Sequence, residues 1–129
     1  MMTKIDYTVA TSLNFEAAVS RVEEEIAKAG LRVLYIHDVQ KSLAEKGFAR
    51  APLKIVEFCN AQIADEFLRT DIRISLCLPC KINLYVEDGK TFIAGLRPIM
   101  LSQFFPEADL SDRLKEVDKK IKTIINNVA

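Results

Sequence analysis

The sequence predicts one α+β domain of two layers, a mainly antiparallel sheet with helices on one face. Three observations carry this reading. β-favouring runs alternate along the chain with amphipathic stretches of helical period. Asp88-Gly89, the dipeptide of a tight hairpin, sits between two of those runs and makes that part of the sheet antiparallel. The 129 residues fit a single domain, 1–129. A chain of that size removes roughly two thirds of its surface from water without a disulfide or metal.

Residues 4–11 read as the first strand. Asn14 is placed to cap a helix running to residue 29, with Glu16 favourably placed in its first turn. Phe15, Ala18, Val19, Val22, Ile26 and Ala29 fall on one stripe of that helix, and Gly30 suits the left-handed residue that ends it. Glu24 and Lys28 form an i,i+4 pair on its wet side. Residues 31–37 are a second strand, and Asp38 offers a cap for a short helix ending near Gly47. Leu53–Phe58 reads as strand after the Ala51-Pro52 loop. Asn60 caps a helix to about Arg69, with Ile63, Ala64, Phe67 and Leu68 inward.

Ile72, Ile74, Leu76 and Leu78 alternate with Arg73, Ser75 and Cys77, the period-two signature of a half-buried strand. Pro79 then implies an edge, bulge or break. Strand character resumes at Ile82, Leu84 and Val86, and Thr91–Leu96 returns from the hairpin. Pro98 and Pro106 bracket the apolar segment Ile99–Phe105. A last helix runs from about Leu110 to Asn127, with Asp109 as its cap. Its Leu114, Val117, Ile121, Ile124 and Val128 are spaced 3-4-3-4, a seam about two heptads long. The seam either covers the sheet of its own subunit or meets a second copy.

Composition narrows the function classes. Half of the residues are hydrophobic and 28% are charged, the balance of a folded globular chain. Eighteen basic residues match eighteen acidic ones, so no excess positive charge draws a phosphate backbone, and nucleic acid is not an expected partner. No run approaches the ~20 apolar residues of a membrane helix. The start, Met1 to Asp6, lacks a basic region followed by an apolar core. The expectation is a cytoplasmic protein, off the membrane, with its three cysteines reduced.

The residues able to carry chemistry are few. Cys77 and Cys80 form a C-x-x-C pair, but within a strand an offset of three points the two side chains to opposite faces, against dithiol redox chemistry. Cys59, Cys77, Cys80 and His37 have the number and types of a structural zinc site, although a second close ligand pair is missing. The plainer reading of His37 is a partly buried strand residue with one hydrogen-bonding partner. Cys59-Asn60 lies where a strand becomes a helix. A thiol there meets the positive end of the helix, and the plainer reading is a small residue packed beside an N-cap.

Cys59-Asn60 opening a helix, Leu78-Pro79-Cys80 about twenty residues later, Ala29-Gly30-Leu31 joining a helix to a strand, and Ser42-Leu43-Ala44-Glu45-Lys46-Gly47-Phe48 occur together. In this the chain resembles the bacterial and archaeal family known as domain of unknown function 302, DUF302, from about residue 7 to about residue 125. The resemblance implies a fold of TATA-binding-protein-like topology, β-α-β(4)-α with extra short helices, often as a homodimer. That label describes topology and not DNA binding. It implies Cys59, Asn60 and Cys80 as family-like positions and brings no reaction and no cofactor. Ala61 stands where the family has proline, Lys81 where asparagine is common, and Cys77 where an aliphatic residue is expected.

The leading expectation is a non-enzymatic module that binds or senses a small ligand, a metal ion or a sulfur species. Its pocket is formed by Cys59, Asn60 and Cys80, with His37 a weaker member. The alternatives are a thiol enzyme or sulfur carrier with Cys59 or Cys80 as nucleophile, and a structural homodimer whose cysteines only pack.

Overall fold

The computed structural model describes residues 5–106 and 110–129. The predicted cap Asp109, and Lys4 at the start of the first predicted strand, lie outside the described residues. Five strands, β1 (Asp6–Thr11), β2 (Arg32–Asp38), β3 (Leu53–Cys59), β4 (Cys80–Glu87) and β5 (Lys90–Leu96), form one sheet in the order β1-β5-β4-β3-β2. Every neighbouring pair is antiparallel. Asp88 and Gly89 take φ of 52° and 74°, the two positive values that a type I′ turn demands between β4 and β5.

The helices are α1 (Phe15–Lys28), α2 (Val39–Ala44), α3 (Ala61–Thr70), α4 (Leu101–Phe104) and α5 (Ser111–Val128). The predicted caps at Asn14, Asp38 and Asn60 each accept backbone N–H groups of the following turn. Gly30, at φ 77°, closes α1 with the paired bonds of a Schellman motif: its N–H to the Ala27 carbonyl and the Leu31 N–H to the Ile26 carbonyl. Along α1, Lys28 lies 3.5 Å from Glu25 and Arg21 3.9 Å from Glu24, so the expected Glu24–Lys28 pair is replaced by i,i+3 partners.

The core lies between one sheet face and the long helices. Val56, Phe58, Ile82, Leu84 and Ile93 are buried on that face, and α1 contributes Ala18, Val22 and Ile26. The predicted α5 seam, Leu114 to Val128, is at most 2% exposed, buried against its own sheet and α1. It is therefore not available as a dimer seam. Gly95 lets α5 come this close: a Cβ there would stand 2.8 Å from Ile121 Cγ2.

One predicted strand is wrong. Residues 72–78 do not pair; Ile72–Cys77 is a 3₁₀ turn. Asp71 caps it, accepting the Arg73 N–H at 2.9 Å, and the Arg73 guanidinium clasps the same carboxylate. At three residues per turn only every third side chain faces inward. Ile74 is buried and Cys77 packs beside it, while Ile72 and Leu76 are 69% and 86% exposed. Both edges of β4 are already taken by β3 and β5, which leaves a further strand no place beside it. The apolar stretch after Pro98 forms a second 3₁₀ turn, Pro98–Met100, followed by α4. No helix among the described residues is long and apolar enough to cross a membrane.

Candidate functional site

The antiparallel register gathers the sequence motifs at one end of the sheet. Phe58 on β3 pairs with Cys80 on β4, and Cys59 pairs with Arg32 on β2. The end of β3, the start of β4 and the Gly30-Leu31 turn before β2 therefore lie side by side. Asn60 binds them together. Its Oδ1 accepts the N–H groups of Gln62 and Ile63 at 2.9 and 3.2 Å, and its Nδ2 donates to the Gly30 carbonyl at 3.2 Å. With these bonds made, the amide is a clamp between the α1–β2 turn and α3.

Cys80 shares the face of Phe58, Ile82 and Leu84, so its thiol points under the helix layer. There it lines a tight apolar cleft with Phe67, Cys77, Leu78, Pro98 and Leu101. The space inside is about 20 Å³, the room of one water. The two 3₁₀ turns close this end of the sheet, and the Leu78–Pro79 peptide between Cys77 and Cys80 is cis. Burial pushes the Cys80 thiol up to about 12, and the charge of a neighbouring Cys59 thiolate adds to the shift. At pH 7 a thiol of that acidity is ionised in on the order of one molecule in 10⁵.

Cys59 lies one residue past the Phe58–Cys80 pair and opens elsewhere. It lines a broad groove of about 450 Å³ with Gly30, Leu31, Arg32, Leu34, Asn60 and Ala61. Its Sγ donates to the Asn60 carbonyl at 3.5 Å. The two sulfurs are thus electrostatic neighbours that face different hollows. All three cysteines are free and half-buried.

His37 is set apart. It pairs with Ile55, four residues before Cys59 along β3 and so roughly 13 Å away. Its Nε2 is hydrogen-bonded to Glu57 Oε1 at 2.5 Å, and its ring meets Tyr35 edge-on at 4.6 Å. The structure brings Cys59, Asn60 and Cys80 to one end of the sheet and leaves His37 on the β2 edge. Among the described residues no group of three or more His, Cys, Asp or Glu side chains is gathered as a metal centre would need.

Sequence reasoning missed the partners that shape these hollows. Phe67 and Leu101 reach the Cys80 cleft from α3 and α4, and nothing local in the sequence links them to residue 80. Arg32 reaches the Cys59 groove through strand register, which only the folded sheet fixes.

The family model described as "Domain of unknown function DUF302" matches residues 7–128. A solved structure of an uncharacterised conserved DUF302 protein from Bacillus stearothermophilus matches with a TM-score of 0.92 and 29% sequence identity, covering 98% of this chain and 100% of that one. No curated protein matches.

Proposed function

The chain belongs to the DUF302 family, and from that premise we propose that it is a non-enzymatic module that binds or senses a small thiophilic ligand, such as a sulfur species, in the groove beside Cys59. One observation carries the reading: Cys59 opens into a roomy groove while its neighbour Cys80 is held as a neutral thiol behind it. A thiol in that groove meets ligand. Arg32 at the rim supplies positive charge suited to a sulfur anion. Leu31, Leu34 and Ala61 supply apolar wall.

Three competing chemistries fit less well. A soft metal ion held by both sulfurs needs them to face one another, and they open into different hollows. A nucleophile at Cys80 needs a thiolate, which burial suppresses. A Cys–His pair needs His37, which lies on the β2 edge bound to Glu57.

The test is native mass spectrometry of protein purified without added metal or reductant, with thiol labelling of the folded protein in a Cys77→Ser background. The expected result is an adduct and one fast-labelling thiol, both lost in Cys59→Ser and kept in Cys80→Ser. A bare mass together with a Cys59 as inert as Cys80 would remove the reading.

A further inference from the structure

The sheet face away from the helices carries polar groups whose needs the chain itself does not meet. Register puts Asp6, Leu96, Lys81, Glu57 and Tyr35 in one row across the five strands, and Thr8, Ala94, Asn83, Ile55 and His37 in the next. Where β1, β5 and β4 run side by side, Ala94 is short beside its neighbours. A hollow of about 250 Å³ opens there between Ile5, Asp6, Lys81, Asn83 and Leu96. The Asn83 Oδ1 is shielded from solvent and has no hydrogen-bond partner among the described residues, a costly state for an acceptor. Glu57, set directly across from Lys81, is hydrogen-bonded instead to His37 Nε2 at 2.5 Å. Lys81 is left with no ion pair among the described residues. Asp6 accepts the Thr8 hydroxyl and meets no cation among the described residues.

We propose that this hollow binds a free α-amino acid with an apolar side chain. The ligand's ammonium lies between the Asp6 carboxylate and the Asn83 Oδ1, and its carboxylate meets the Lys81 ammonium. Donors and acceptors then match at both ends. An ammonium brings three N–H groups to a site with two protein acceptors, and the lysine brings N–H donors to a carboxylate. The Asn83 oxygen gains from the ligand the donor that the protein does not supply.

The spacing suits this ligand. Asp6 on β1 and Lys81 on β4 lie in one row, two strands apart, so their Cα atoms are roughly 10 Å from each other. An α-amino acid holds its charges ~3 Å apart, and two charge-assisted hydrogen bonds of ~2.8 Å bring the span to about 9 Å. A simple amine or a simple carboxylate reaches one end and leaves the other unpaired. Ile5 and Leu96, 60% and 45% exposed, form an apolar rim for the ligand's side chain. The hollow shares no lining residue with the Cys59 groove, and it stands or falls independently of the thiol chemistry.

The experiment is a proton–nitrogen correlation NMR titration of the full chain with L-leucine up to about 20 mM. Saturable shifts centred on the backbone amides of Lys81, Asn83 and Ala94 are expected. 4-Methylpentanoate, which lacks the ammonium, and leucinamide, which lacks the carboxylate, should each bind at least about 10-fold more weakly. In Lys81→Met, at an exposed position, leucine should fall to the affinity of leucinamide. Asp6→Asn should narrow the gap between leucine and 4-methylpentanoate in the same way. The dispersion of each spectrum reports the fold, and either variant gives the reading should the other fold poorly. An absence of saturable shifts up to 20 mM overturns the proposal, as do shifts centred elsewhere. A folded Lys81→Met protein that still prefers leucine to leucinamide by tenfold overturns it as well.

Discussion

Cys80 holds its proton far more tightly in the folded chain than out of it, because burial in the apolar cleft raises its pKa from 9.0 to about 12 and the neighbouring Cys59 charge adds to this. The sign of the resulting pH dependence follows. Below pH 9 the thiol is protonated in both states and stability is unaffected. Between pH 9 and 12 the unfolded chain releases a proton that the folded chain keeps, so stability falls as pH rises. Cys80→Ala should lose this alkaline decline while costing stability at pH 7 through lost packing. Urea unfolding at pH 7, 9 and 10 measures it, and the wild-type slope attributable to this group approaches about 1 kcal/mol per pH unit. Tyr85, whose hydroxyl is raised mainly by burial and then by Glu87 and Asp6, leaves a residual slope of the same sign in the variant. An alkaline limb identical in the two proteins would mean that the thiol is hydrated. At this scale the sequence was informative about Asn60, because an asparagine ahead of an apolar helical stripe is a capping signal wherever it occurs. It singled out Cys80 but was silent on its protonation, because the neutrality of a thiol depends on Phe67, Pro98 and Leu101, which are distant in sequence.

Between elements, the approach of α5 to the sheet is set at Gly95. The residue faces the helix layer from β5, and a methyl group there would stand 2.8 Å from Ile121 Cγ2 and 3.0 Å from Ile125 Cδ1. Neither isoleucine is free to yield, since both are packed in the core. Gly95→Ala should therefore destabilise the protein by about 1–3 kcal/mol, with Gly95→Val worse, as overpacking does elsewhere. Chemical denaturation at neutral pH checks the order. An alanine variant as stable as wild type would show that α5 can shift outward at little cost. The elements themselves were legible where cap, stripe and stop agreed, as in α1 with Asn14, its apolar stripe and Gly30. The segment 72–77 misled because alternation of Ile72, Ile74 and Leu76 mimics a strand, while the capping clasp of Asp71 and Arg73 selects a 3₁₀ turn. Alternation establishes which side chains can share a face; it supplies no neighbouring strand to pair with.

The whole molecule is closed by contacts that join the first third of the chain to its last turn. Tyr7 donates to Asn126 Oδ1 at 2.7 Å, Thr11 donates to the Val128 carbonyl at 2.8 Å, and Arg21 donates to the Asn127 carbonyl at 3.0 Å. None of these was visible in the sequence, since each spans more than a hundred residues and involves side chains that look like ordinary surface. Among them Glu25 is the titratable member. It is buried between α1 and α5, accepts from Asn127 Nδ2 at 3.2 Å, and lies 3.5 Å from both Arg21 and Lys28. The Asn127 hydrogen bond is the largest of the influences that lower its pKa below 4.5, with Lys28 and Arg21 adding to it and burial opposing. A carboxylate depressed in the folded state contributes stability above its unfolded pKa and loses that contribution as pH falls through the folded value. Asn127→Ala removes the main cause, so Glu25 should take up its proton at higher pH in the folded chain and the acid unfolding midpoint should move upward. In a Glu25→Gln background the same Asn127→Ala change should no longer move the midpoint, because the group that titrates is gone. An acid midpoint unmoved by Asn127→Ala in the wild-type background would place acid sensitivity in some other carboxylate and reduce this contact to packing between the two helices.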